Sequence, residues 1–118
     1  MNSKFDILNT AKQSIKNQGD AILNLSKFIN KEFENSVNAI HCIKGRVIVS
    51  GVGKSAIIGK KIAATFNSTG TPAIFMHAGE AIHGDLGVVQ KDDIIILISK
   101  SGNTAEIKNL VPFLKKTH

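Results

Sequence analysis

Arg46-Val-Ile-Val-Ser-Gly-Val-Gly-Lys-Ser55 opens as a β-branched run and closes on a glycine turn. From Lys54 onward Ile57, Ile58, Ile62, Ala63 and Phe66 recur at helical spacing until Ser68-Thr-Gly70, so this part of the chain reads strand, glycine turn, helix. Working outward, Ala73 to Met76 is a second short strand after Pro72, and the Gly-rich stretch Ala78 to Gly87 reads as a loop with one helical turn. Ile94-Ile-Ile-Leu-Ile98 is a third strand whose lack of alternation predicts cover on both faces, as in a parallel sheet. Thr104 to Lys116 then carries Ile107, Leu110, Val111 and Leu114 on one helical face. Strands alternating with helices predict an α/β fold, a three-layer doubly wound parallel sheet of flavodoxin-type order.

Upstream, Phe5, Leu8, Ala11, Ile15, Ile22, Leu25, Phe28 and Ile29 give an amphipathic helix over Lys4 to Ile29, with Gly19 a point where it could bend or break. Phe33, Val37, Ile40 and Ile43 give a shorter helix ending at Lys44-Gly45, the glycine suiting a left-handed cap. Residues 1–44 are thus expected to be a helical segment packing on the domain formed by 45–118. A three-strand doubly wound sheet leaves an apolar edge unpaired, so the sequence predicts a fragment, or a chain completed by a partner.

The 118 residues, 42% hydrophobic and 20% charged, suit one modest soluble domain. No apolar run approaches the roughly 18–20 residues of a membrane span and no signal peptide opens the chain, so the expected location is the cytoplasm, without membrane contact. Cys42, the only cysteine, excludes an internal disulfide and is expected to be an inert, half-buried thiol. The formal charge of +6 suits an anionic partner, nucleic acid or a phosphorylated metabolite. The basic residues are scattered, without helix-turn-helix pattern, zinc spacing or aromatic RNA-binding strand, which speaks against nucleic acid.

Ligands of open α/β sheets bind beyond the carboxyl ends of the strands, where helix amino termini present free N–H groups. Two such turns are legible. Ser50-Gly-Val-Gly-Lys-Ser55 lacks the first glycine of a Walker A loop, Ile48 standing there, so a nucleoside triphosphatase is not expected. Gly51, Gly53 and Ala56 fit the dinucleotide fingerprint, yet the second strand ends in Met76-His77 without the acidic residue that would hold a ribose. Ser99-Lys-Ser-Gly-Asn-Thr104 crowds three hydroxyls around a glycine between strand and helix, where an ordinary cap needs one. That excess points to an anion cradle for a phosphomonoester.

With these residues in place, the chain from about Lys44 onward resembles the sugar isomerase (SIS) domain family, in its branch of arabinose 5-phosphate isomerases. The resemblance runs through Gly51-Val-Gly-Lys-Ser55, Ala63-Ala-Thr-Phe-Asn-Ser-Thr-Gly-Thr-Pro72, His77-Ala-Gly-Glu-Ala-Ile-His-Gly-Asp-Leu-Gly87 and Ser99 to Ile107. It implies that residues 45–118 are the first half of a sugar-phosphate-binding domain. It also implies an enzyme, usually a homotetramer, that interconverts D-ribulose 5-phosphate and D-arabinose 5-phosphate, precursor of the lipopolysaccharide sugar Kdo. Under the resemblance Ser99, Ser101 and Thr104 hold the phosphate; Gly70, Thr71, His77 and His83 line the sugar site; Lys54 and Glu106 are catalytic. Some relatives bind an inhibitory zinc ion at the position of His77. Many relatives carry Glu at the position of Asn103, and they continue with two further strands that supply another Glu and a His. Relatives also include sugar-phosphate-sensing regulators, so a non-catalytic module or an inactive fragment is the alternative.

Aldose–ketose isomerisation moves a proton between adjacent carbons through an enediol, which needs a base and a donor for the oxygen that gains charge. Glu106, one turn inside the last helix, suits the base if it is partly buried, and an ion pair on a solvated face is its alternative reading. Lys54 suits the donor, or is a surface lysine at a helix start. His77, Glu80, His83 and Asp85 fall within nine residues, a density that permits a metal, although substrate hydrogen bonding is the preferred reading and no cofactor is required.

Overall fold

A computed structural model describes residues 6–117, and its chain divides into two compact units, Met1–Asn38 and Ala39–His118. Lys4 and Phe5, where the first helix is expected to begin, lie outside the described residues. Helix α1, Ile7–Asn24, starts where the Asp6 carboxylate accepts the Asn9 N–H at 2.9 Å, an N-cap that satisfies one orphan donor. It runs through Gly19 without a break and passes into a 3-10 turn, Leu25–Phe28. Helix α2, Lys31–His41, begins in the first unit and ends in the second. No residue of α1 is buried, and its apolar stripe of Leu8, Ile15 and Ile22 is exposed.

The second unit is built on three parallel strands, β1 Val47–Gly51, β2 Ala73–His77 and β3 Ile94–Leu97, in the order β2-β1-β3. This is the beginning of the flavodoxin-type order. The register aligns Val47 with both Ala73 and Ile94, and Ser50 with both Met76 and Leu97. Helix α3, Gly53–Ser68, joins β1 to β2; α4, Ala78–Ala81, and a 3-10 turn, Asp85–Val88, lie between β2 and β3; α5, Ala105–Thr117, follows β3.

Side chains alternate across β1, so Val47 and Val49 meet Ala63 of α3 with Ile40 and Ile43 beside them. Ile48 faces the other way, into a core with Met76, Ala78, Ala81, Ile107 and Leu110. Two covered faces make the sheet the middle of three layers, which explains why the third strand shows no polar alternation. Ser50, on the same side of β1 as Ile48, is fully buried and its hydroxyl has no hydrogen-bond partner.

Two local expectations are corrected. Gly45 is not in a left-handed cap, because α2 stops earlier, at His41. Its role is close approach: the Gly45 N–H donates to the Asp92 carbonyl at 3.1 Å, and a Cβ there would overlap that carbonyl and the Asp93 carboxylate. Gly45→Ala should therefore lower the unfolding free energy by about 2 kcal/mol in urea titration, since backbone must move to relieve the contact. Cys42 is exposed, not half-buried, because it falls in the turn beyond α2 and off its apolar face.

Beside Gly45, Asp93 ties the amino-terminal edges of β1 and β3 together. Its carboxylate, 1% exposed, accepts from the Arg46 backbone N–H at 2.8 Å, from the Arg46 guanidinium at 2.8 and 3.3 Å, and from the Gln90 N–H at 2.8 Å. Burial pushes the Asp93 pKa up, but the hydrogen bonds from Arg46 and Gln90 and the Arg46 charge outweigh it and hold the group below the ordinary carboxylate value. No helix among the described residues is long and apolar enough to cross a membrane.

Candidate functional site

The order of strand addition reverses about β1: β2 follows on one side of it and β3 on the other. The carboxyl ends of β1 and β3 therefore border the topological switch point, the position at which open α/β sheets bind ligands. The Ile98 N–H donates to the Ser50 carbonyl at 2.9 Å, so both turns leave the sheet side by side.

The first turn is shaped by two glycines. A Cβ on Gly51 would sit 3.1–3.3 Å from backbone atoms of Ser55 and Ala56, so glycine lets α3 begin tight against the strand end. Gly53 has φ +57°, in the left-handed region, and Val52 at the N-cap offers no side-chain hydrogen bond. The first intrahelical bond is Ala56 N–H to Val52 carbonyl. The amides of Gly53, Lys54 and Ser55 thus precede the helical ladder at the positive end of the dipole. Lys54 is exposed and Ser55 half-buried in the same helical turn.

The second turn organises its own hydroxyls. Ser99 Oγ lies 2.7 Å from Thr104 Oγ1 and accepts the Gly102 N–H at 3.0 Å; Ser101 Oγ accepts the Asn103 N–H at 3.1 Å. Gly102, with φ +68°, allows the bend. The Lys108 N–H bonds the Thr104 carbonyl at 3.0 Å, leaving the amides of residues 105–107 at the open end of α5. Lys54 thus stands in the turn that follows β1, and Ser99, Ser101 and Thr104 in the turn that follows β3, with Glu106 in the first turn of α5. Glu106 is exposed, because Ile107 and Leu110 turn into the core and swing position 106 outward.

The remaining candidates are distributed differently. His77 ends β2 opposite Gly51, at the same carboxyl edge but across β1 from the serine turn. Its Nδ1 accepts the Gly79 N–H at 3.1 Å and its ring meets Phe75 edge-on at 6.4 Å, which leaves Nε2 as the nitrogen for a ligand. His83 is exposed in the turn after α4. Among the described residues no three His, Cys, Asp or Glu side chains converge on a metal position.

Gly70 and Thr71 stand at the other edge of the sheet. They precede β2, at the amino-terminal edge of the sheet, and the four-residue rise from Ala73 to His77 puts about 13 Å between the two ends. Their segment is a structural corner: the Asn67 side chain bonds both backbone groups of Ala73 at 2.8 and 2.9 Å, and the Thr71 N–H reaches the Phe66 carbonyl. Sequence reading did not single out Ser55, half-buried after the glycine turn, or Lys108, whose Nζ donates to Asn103 Oδ1 at 2.9 Å. Its five-residue separation from Asn103 gave no signal.

A parallel α/β domain with two uncapped helix starts side by side at its switch point is the class of structure these residues define. Residues 39–118 match the model of the SIS domain family, and the chain belongs to that family. It is 45% identical over 114 residues to arabinose 5-phosphate isomerase KdsD of Escherichia coli K12, and 44% identical over 116 residues to the protein of that name from Pseudomonas aeruginosa PAO1. Those alignments cover 97% and 98% of this chain but 35% and 36% of the relatives, so it spans about a third of their length. The solved structure of an Escherichia coli CFT073 protein in complex with arabinose 5-phosphate matches with a TM-score of 0.89 at 47% identity, over 99% of this chain and 62% of that one.

Proposed function

We propose that this chain is the phosphate-gripping part of a sugar-phosphate aldose–ketose isomerase that interconverts D-ribulose 5-phosphate and D-arabinose 5-phosphate. The observation that carries the reading is the pair of turns at the switch point, Gly51–Ser55 and Ser99–Thr104, each opening a helix at the carboxyl edge of neighbouring strands. A phosphomonoester carries about two negative charges near pH 7 and offers only acceptors. Uncapped amides, Ser and Thr hydroxyls and the positive ends of two helices are its natural complement. The names of the relatives, and the arabinose 5-phosphate bound by a structural neighbour, support a pentose 5-phosphate as the ligand.

In the proposed reaction the phosphate is anchored at Ser101, Thr104 and the amides of residues 105–107, which fixes the sugar chain across the switch point. Glu106 removes the C–H proton and returns it to the neighbouring carbon, while Lys54 stabilises the charge that grows on the enediol oxygen. Protein groups carry every proton, so the scheme calls for no metal or organic cofactor. His77 lies at the rim, where Nε2 could take a sugar hydroxyl. A cytoplasmic homo-oligomer feeding lipopolysaccharide sugar synthesis completes the reading. The exposure of Glu106 favours a second one, a chain that binds sugar phosphate but turns it over only when the rest of the domain is attached.

A coupled assay of ribulose 5-phosphate conversion, on this chain and on one extended to the length of its relatives, tests both. Turnover in the extended chain alone is expected; turnover in neither, with phosphate binding retained, would leave the binding module standing and remove the isomerase.

A further inference from the structure

We infer that the Gly79 amide locks His77 as its Nε2–H tautomer, so that the ring donates to a ligand oxygen and does not take a metal ion at Nε2. The identity of the ligand rests on the sugar-phosphate reading; the tautomer does not. His77 ends β2 and caps α4, its Nδ1 accepting the Gly79 N–H at 3.1 Å. A backbone N–H can only donate, and a neutral imidazole carries one hydrogen on one of its two nitrogens. The nitrogen that accepts is therefore bare, and the hydrogen stands on Nε2. Turning the ring over would set a C–H against the amide and leave a donor at the helix start without an acceptor.

The pose is held from two further sides. A Cβ on Gly79 would stand 3.1 Å from both Nδ1 and Cε1 of His77, so it is glycine that lets the amide come this close. Phe75, on the same face of β2, meets the imidazole edge-on, with centroids 6.4 Å apart and planes at 80°. Phe75 is itself confined: the Lys60 ammonium lies 5.5 Å from its ring centre, and a Cβ on Gly59 would come within 3.0 Å of its edge.

This polarity is the reverse of that in a metal site. Histidines that bind a metal through one nitrogen donate the other ring N–H to a carbonyl, a carboxylate or water. Zinc at Nε2 of His77 would move the hydrogen to Nδ1, where it would face the Gly79 N–H, donor against donor. The inhibitory zinc ion that the family resemblance places at this position thus does not fit the ring. What fits is an acceptor, a hydroxyl or carbonyl oxygen of the sugar at the carboxyl edge of the sheet.

The test uses the chain with isotope-labelled histidine, the His77→Asn variant assigning the His77 signals among the four histidines. Long-range proton–nitrogen correlation spectra at about pH 8.5, where imidazole is neutral, are expected to show a bare Nδ1 and a protonated Nε2. Equimolar zinc chloride should leave the Nε2 hydrogen in place. A hydrogen on Nδ1, or its transfer there when zinc is added, would overturn the inference. Titration with arabinose 5-phosphate then reads the donor. Asparagine keeps an acceptor for the Gly79 N–H but does not reach as far as Nε2, so His77→Asn should hold its thermal stability and raise Kd about tenfold, with inorganic phosphate bound as before. Glutamine sets an N–H near the place of Nε2, so His77→Gln should bind within about threefold of the unsubstituted chain. An unchanged Kd in His77→Asn would reduce His77 to a helix cap and overturn its role as donor. A sugar phosphate that shifts no amide signal of the unsubstituted, folded chain would overturn the binding reading and the donor role with it, while the spectra decide the lock independently.

Discussion

Asp93→Ala is expected to lower the unfolding free energy by about 2–4 kcal/mol, a large share of what a unit this size has. The carboxylate answers four donor contacts from Arg46 and Gln90, and alanine leaves the part-buried Arg46 N–H and the guanidinium without their acceptor. The cost falls short of that for a fully buried pair because the Arg46 side chain is 30% exposed and water can solvate it. Urea unfolding followed by circular dichroism measures it, and a loss below about 0.5 kcal/mol would mean that the pair is no more than an exposed ion contact.

The same group gives a sign to the pH dependence. Its pKa in the folded state lies below the ordinary aspartate value, so protonation favours the unfolded chain. The stabilisation is complete above the unfolded-state value and is lost as pH falls through the lower folded value. Acid unfolding should accordingly be less steep below pH ~4 in Asp93→Asn than in the unsubstituted chain.

The second large effect concerns turnover in the extended chain. Glu106→Gln should cut kcat about 10²–10⁴-fold, since the amide keeps the shape of the side chain but cannot take a proton. Lys54→Ala should cut it about 10²–10³-fold, the scale for removing one electrostatic contact to a developing oxyanion. Both variants should bind arabinose 5-phosphate within about threefold of the unsubstituted chain, as the proposed phosphate contacts come from other groups. Steady-state rates with parallel binding titrations separate these outcomes. An unchanged kcat in either variant removes that residue from the mechanism.

The parts of the fold fixed by short-range pattern were legible in the sequence. Val47, Ile48 and Val49 ran straight into Gly51-Val-Gly53, and the unbroken apolar run at Ile94 to Leu97 announced a strand covered on both faces. The serine turn was legible because its hydroxyls exceed the needs of a cap. What escaped depends on contacts between distant residues. Gly45 read as a helix cap, although its lack of a side chain serves the approach of Asp92 and Asp93. Gly70 and Thr71 take a ligand role only from the family resemblance, and a motif carries no record of which sheet edge it occupies; in the fold Asn67 ties their corner to β2. Glu106 stands in the first turn of α5, as its position in the sequence indicates, but its exposure is decided by which neighbours face the core.

The Arg46–Asp93 pair also constrains how the molecule assembles, since its members stand 47 positions apart. Joining β1 to β2 closes a loop little longer than α3, whereas bringing β3 alongside β1 must first gather everything between Val47 and Ile94. Closure entropy grows only slowly with length, yet the longer loop gains nothing until its far end arrives. The β1-α3-β2 crossover unit is thus expected to nucleate folding, with the carboxylate latch closing last.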